Sequence, residues 1–167
     1  MGMANEREWA VGYLAQARAD LEGAKHVGAM QPSVFASLMQ MAFEKFAKAA
    51  LLRSGSITLD TATSSHRAAS RMVAAMRRQR NLLKPIGGLH VWHAALEVVE
   101  ALERAHPALA KEGAKLEYPW ETPAGAIQWP ARDLQIATKL GNPSSNLAAH
   151  LVDFATKIDR NFDGIFP

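Results

Sequence analysis

The 167-residue chain contains no cysteine. That absence removes thiol nucleophiles, dithiol redox motifs, iron–sulfur clusters and thiolate zinc sites. Long apolar runs are missing too. The nearest approach, Val34 to Phe43, is interrupted by Ser37 and Gln40 and is far short of the roughly 20 residues a membrane-crossing helix needs. The first eight residues mix acids with a base and lack the apolar core of a secretory signal, so the expectation is a cytoplasmic protein that does not meet a membrane. There is no glycine-rich phosphate loop, Ser/His/Asp order or paired-carboxylate motif. Acid is absent from one long segment as well. Between Asp60 and Glu97 there is none, and the intervening 36 residues hold Arg67, Arg71, Arg77, Arg78, Arg80 and Lys84. The whole chain carries 19 basic and 16 acidic residues, a net charge of +3; without these 6 it has 13 bases against 16 acids. The excess of positive charge therefore belongs to that segment.

What is present is helical periodicity in a chain of single-domain size. A chain of this length buries roughly 68–70% of the surface its unfolded form exposes, enough for a core without disulfide or metal. From Glu6 to about Lys25, apolar Trp9, Tyr13, Leu14, Ala17, Leu21 and Ala24 recur three or four apart, the stripe of a helix, and Gly28 offers a stop. Pro32 opens a second helix with Phe35, Leu38, Met39, Ala42, Phe46, Ala49 and Leu52 in its stripe; the short link makes the two an antiparallel hairpin. Residues 54–65 read as a polar loop, with Thr63, Ser64 and Ser65 as candidate caps of a third helix reaching about Leu83. A fourth helix spans 91–110, with Trp92, Ala95, Leu96, Val99 and Leu102 inward and Pro107 bending or ending its last turn. Residues 113–143, with four prolines and Tyr118, Trp120 and Trp129, form an irregular insertion containing one short helix over about 132–140. A last helix follows a cap at Ser144 or Ser145, with Leu147, Leu151, Phe154, Ile158 and Phe162 in its stripe. The prediction is an all-α antiparallel up-down bundle of about five helices, one domain over 1–167, with an insertion at about 113–143.

The second helix carries the string Gln40-Met41-Ala42-Phe43-Glu44-Lys45-Phe46-Ala47-Lys48-Ala49-Ala50-Leu51-Leu52, then Gly55 and, after a polar loop, Ser65-His66. Together with Ala17, Asp20, Leu21 and Ala24 before the Gln31-Pro32 turn, this resembles the HEPN superfamily over about residues 6–80. The resemblance implies a helical bundle, often dimeric, that binds nucleotides, RNA or a partner protein. Many members of toxin and antiviral systems are metal-independent ribonucleases using Arg, four to six residues, then His on a late helix. None of His26, His66, His90, His93, His106 and His150 has an Arg at that distance. Where relatives carry His-Asp-Leu, this chain has His66-Arg67-Ala68. Catalysis is therefore not implied, and no catalytic residue is assigned.

At 100° per residue, Arg67, Arg71 and Arg78 fall within about 40° of one another on the third helix, opposite Met72, Met76 and Leu83. A line of guanidinium groups suits phosphate; the bland alternative is a solvated face. Arg67, Arg71 and Arg78, with His66 and Lys48, are the candidate phosphate-binding residues, and the ligand is a nucleotide, RNA or an acidic partner surface. Glu44 and Lys48 have the spacing of a helix-surface pair. Tyr118, Trp120 and Trp129 are candidates for base stacking or an interface. His90, His93 and Glu97, or Glu103 and His106, have metal-ligand spacing without the second copy that di-iron bundles need, so no metal or cofactor is expected. The leading expectation is a non-catalytic homodimeric binding module. Two alternatives are a ribonuclease built on His66 or His150 with an arginine of the third helix, and an accessory, antitoxin-like subunit whose partner is encoded nearby.

Overall fold

Asn5 and Glu8 close a reciprocal capping box. The Asn5 side chain accepts the Glu8 N–H at 3.0 Å, and the Glu8 carboxylate accepts the Asn5 N–H at 2.8 Å, satisfying two donors that a helix start leaves free. Helix α1 runs Glu6–Val27. A 3-10 turn over Gly28–Met30, entered through Gly28 at φ 59°, leads to α2, Pro32–Arg53, with Pro32 in its first turn. The two helices pair antiparallel: Ala10 shares a cluster with Leu52, Lys48 lies over the Tyr13 ring, Asp20 binds Lys45, and Gly23 faces Leu38.

The computed structural model describes residues 5–78 and 83–167; the side chain of Arg78 lies outside what it describes. Among the described residues the further helices are α3 (Leu59–Ser64), α4 (Ala68–Arg78), α5 (Gly88–Arg104), α6 (Pro107–Ala110), α7 (Pro130–Asp133), α8 (Gln135–Leu140), α9 (Leu147–Arg160) and α10 (Phe162–Ile165). A two-stranded antiparallel hairpin, β1 (Trp120–Glu121) with β2 (Ile127–Gln128), pairs Trp120 with Gln128. The fold is all-α apart from this hairpin.

Helix α2 is the axis. It is apolar nearly all round, as a helix covered on every side must be, and it packs against α1, α4, α5, α8 and α9. Phe35, Met39, Phe43 and Phe46 are fully buried, with Phe43 against Phe154 of α9 and Phe46 against Phe162 of α10. The expected stripe of the last helix is buried at Leu151, Phe154, Ile158 and Phe162 and half-buried at Leu147. One close approach has a specific cause: a Cβ on Gly141 would sit 2.5 Å from Cγ of Pro32, so α8 can end against the start of α2 only on glycine.

Several boundaries differ from the sequence reading. The polar loop contains α3, because the Thr58 hydroxyl accepts the Thr61 N–H at 3.3 Å and starts a turn. Thr63 and Ser64, expected as caps of the third helix, belong to α3; their hydroxyls donate to the carbonyls of Leu59 and Asp60. Helix α4 accordingly begins at Ala68, and part of the expected run to Leu83 falls at 79–82, outside the described residues. Helix α5 starts at Gly88 rather than Val91 and ends at Arg104 rather than about 110; of the two expectations at Pro107 the finished helix is the one present, and Pro107 opens α6. The insertion holds the hairpin and two short helices where one was expected. The last long helix starts at Leu147, after Asn146 at φ 49°, with the Ser145 hydroxyl accepting the Leu147 N–H.

Candidate functional site

Gln40, Glu44 and Lys48 lie four apart on α2, so they form one polar stripe on a helix that is otherwise wrapped by core. Buried polar groups must find partners among themselves or on whatever covers them. Lys48 Nζ donates to Glu44 Oε1 at 2.7 Å and Gln40 Nε2 donates to Glu44 Oε2 at 2.8 Å. This is a buried pair, with 7% and 12% of the Lys48 and Glu44 side chains exposed, rather than the helix-surface pair that the spacing suggests.

Two histidines complete the cluster from other elements. His66, between α3 and α4, places Nδ1 3.2 Å from Glu44 Oε1, and His106, between α5 and α6, places Nε2 3.8 Å from Glu44 Oε2. The two imidazoles stack, with centroids 4.1 Å apart and planes 19° from parallel. His106 is also the N-cap of α6: its Nδ1 accepts the Ala108 N–H at 3.1 Å. That bond fixes the neutral tautomer, leaving the proton on Nε2, the nitrogen that faces Glu44.

The electrostatics follow from this packing. Burial pushes the Glu44 carboxyl up, but hydrogen bonds from Lys48 and Gln40 and the charges of Lys48 and His106 outweigh it, leaving the pKa below the usual glutamate value. Burial lowers the pKa of His106; the pull of Glu44 the other way does not restore it. Tyr13, whose ring lies beneath Lys48, is raised by burial and by the Glu44 charge.

Glu44, His66 and His106 bring donor atoms within 4.8 Å of one another, yet the arrangement does not fit a shared metal. A metal bonds to imidazole in the plane of the ring at about 2.0–2.1 Å, and two nearly parallel stacked planes have no common point at that distance. The tautomer that caps α6 also keeps a proton on the nitrogen His106 would have to offer. The other metal-spaced pair separates: Glu103 is buried and its Oε1 accepts the Ser70 N–H at 3.2 Å in the first turn of α4, while His106 belongs to the Glu44 cluster.

Arg67 immediately precedes α4 and Arg71 lies one turn on; both are exposed, while Ala68, Ala69, Met72, Val73 and Met76 of the same helix are buried. The opposed arrangement read from the sequence is present over this stretch. Trp92 of α5 holds the buried side in place by donating Nε1–H to the Val73 carbonyl at 2.7 Å, and the exposed Arg77 lies over the Trp92 ring. Among the described residues, no ion pair involves Arg67, Arg71 or Arg77. The side chain of Arg78, and all of Arg80, lie outside the described residues. Lys48 is not part of this face: it is buried on α2 and its ammonium is bound to Glu44.

The three insertion aromatics part company. Trp120 is buried and donates Nε1–H to Gln128 Oε1 at 3.0 Å, whereas Tyr118 and Trp129 are 57% and 40% exposed. The Arg132 guanidinium lies 3.5 Å from the Trp129 ring centroid and is fixed by Asp133, whose carboxyl that bond holds below the usual aspartate value. His150 of α9 and His90 of α5 instead border a cavity of about 290 Å³ between those helices, floored by Ala95, Val98 and Leu151. Sequence reasoning missed His106 as a member of the Glu44 cluster; the signal available was a histidine directly before a proline, at the first turn of a helix. No family model, curated protein or solved structure matches this chain.

Proposed function

We propose that the chain is a HEPN-like, non-catalytic binding module of a homodimer, and that it holds a phosphate-bearing ligand, a nucleotide or RNA, at Arg67 and Arg71 on the exposed side of α4, with Arg78 as the third candidate by helical spacing alone. The observation that carries this reading is the state of Arg67 and Arg71: both exposed, the first directly before and the second on a helix whose other side is buried, with no carboxylate partner among the described residues. Guanidinium groups left in this state bind phosphate bidentately. Lys48 and both imidazoles are engaged with Glu44 and with each other, which favours holding over chemistry. RNA and nucleotide binding by the full chain, measured at two salt concentrations, tests the reading. Binding falls steeply with salt and is lost in Arg71→Glu; equal binding by both proteins, or none by either, refutes it. Light scattering of the purified chain tests the homodimer, and a monomer at working concentration removes that part.

A second reading, a ribonuclease, is favoured by one contact. A histidine oriented by a carboxylate, here His66 by Glu44 at 3.2 Å, is the arrangement of a general base, and Arg67 follows it directly. His150, on α9 beside the cavity between α5 and α9, has no part in this version. RNA cleavage abolished in His66→Ala would install the enzyme reading; an intact substrate with wild-type protein removes it.

A further inference from the structure

The stacked histidines form an unfinished column of rings. His106 is the inner member, with 16% of its side chain exposed, and His66 is the outer one, with 32%. One face of the His66 ring rests on His106 and its Nδ1 edge is held by Glu44. Neither contact covers the opposite face or the Nε2 edge, and by elimination the exposed third of the side chain belongs to these parts of the ring. The ring is thus fixed before any ligand arrives, so stacking on it carries little ordering cost. Arg67, adjacent in the chain, is exposed, and among the described residues it has no ion-pair partner.

We infer that a ligand's heteroaromatic base stacks on the open face of His66, as the third ring of the column, while its phosphate is bound by Arg67 and Arg71. The inference rests on the proposed phosphate-binding role of the α4 face, and it narrows the ligand to nucleotides and exposed single-stranded bases, excluding bare polyphosphate. Histidine is among the side chains on which unpaired bases stack, and base stacking of this kind strengthens binding by about five- to 150-fold. Nothing in the column discriminates one base from another, because every base has a π-face.

The test is a matched pair of probes, AMP and ribose 5-phosphate, titrated into the full chain at low salt; the two share a phosphate and differ by the base. AMP is expected to bind about five- to 150-fold more tightly, and an upfield shift of the His66 ring protons is expected with AMP alone. His66→Ala erases the difference while ribose 5-phosphate still binds, and His66→Phe, which keeps an aromatic face, retains it. Arg71→Glu weakens both probes together. If AMP and ribose 5-phosphate bind wild type equally, the stacking inference is wrong and the phosphate face stands. If neither binds, the phosphate face fails and the inference with it. A melting curve of each variant identifies loss of fold, and should His66→Ala unfold, the wild-type probe pair and His66→Phe still decide the question.

Discussion

The Glu44 cluster and the arginine face of α4 meet at consecutive residues, His66 and Arg67, and they use charge in opposite ways. In the cluster every charge is answered: Glu44 receives Lys48 and Gln40 and faces both imidazoles, and among the described residues no buried side-chain nitrogen or oxygen lacks a partner. On the arginine face, Arg67 and Arg71 have no ion-pair partner among the described residues. Removing a charge from the first region leaves others stranded in a poorly solvated place, whereas removing one from the second leaves only solvent behind. A basic residue therefore says little about binding until its burial and its partners are known: Lys48 is buried and bound to Glu44, whereas Arg71 is exposed and has no ion-pair partner among the described residues.

The most forceful way to break the comparison is Glu44→Ala. It strands the Lys48 ammonium, the Gln40 amide and the His66 edge at once, and loss of one partner from a buried pair costs about 3–5 kcal/mol. Urea unfolding of the variant should show a fall of that size. The double replacement Glu44→Leu with Lys48→Met, which removes both charges, should fall by less than Glu44→Ala alone. A double replacement that loses as much as Glu44→Ala, or more, would mean that the pair does not act as a pair.

Acid attacks the same cluster without mutation. The folded pKa of His106 lies below the ordinary 6.5, through burial, so as the pH drops through about 6.5 the unfolded state takes up a proton that the folded state refuses, and stability is lost towards the lower folded value. Glu44 is depressed below its ordinary 4.5, because the hydrogen bonds from Lys48 and Gln40 overcome burial; its contribution is present above that pH and disappears as the pH falls through the folded pKa. Both losses have the same sign, and urea midpoints at successive pH values should decline in two stages. His106→Asn keeps a capping acceptor for α6 and should flatten the first stage while leaving the second.

Glu103 sharpens the comparison from a third position. It is a buried carboxylate answered by a backbone donor, the Ser70 N–H at the start of α4, rather than by a cation. Its loss in Glu103→Ala resembles the loss of a helix cap, about 1 kcal/mol, clearly smaller than Glu44→Ala. A hydrogen-exchange profile should place the weakening in the first turn of α4.

Where elements come from local signals, the sequence was a sufficient guide. The stripes of α2 and α9, that of α1 from Tyr13 on, the Pro32 start and the turn at Gly28 depend on residues a few positions apart, and the opposed faces of α4 follow from helical spacing alone; Trp9, expected in the α1 stripe, is instead 41% exposed. What covers a helix is a different matter. Gln40, Glu44 and Lys48 have the same i, i+4 spacing whether they face water or core, and only the arrival of His66 and His106 from remote segments decides it. Trp120 and Trp129 illustrate the same limit. Both sit between prolines, but the buried one has the Gln128 amide opposite its indole N–H, a pairing across two strands too short to leave an alternating pattern. His106 was read by its spacing from Glu103, although its role comes from Pro107, which makes it a cap, and from His66, which lies against it.

The gentlest perturbation is Arg71→Glu, and its value lies in being gentle. An exposed residue with no partner among the described residues contributes within about 0.5 kcal/mol of nothing to stability, so the melting curve of the variant should superimpose on that of the wild type. Affinity for RNA should nevertheless collapse, since one phosphate contact has been replaced by a repulsion, and the salt dependence of what binding remains should be shallower. A variant that unfolds easily would show that Arg71 is held within the fold after all. The two regions would then be alike, and the α4 face would lose its claim to a ligand.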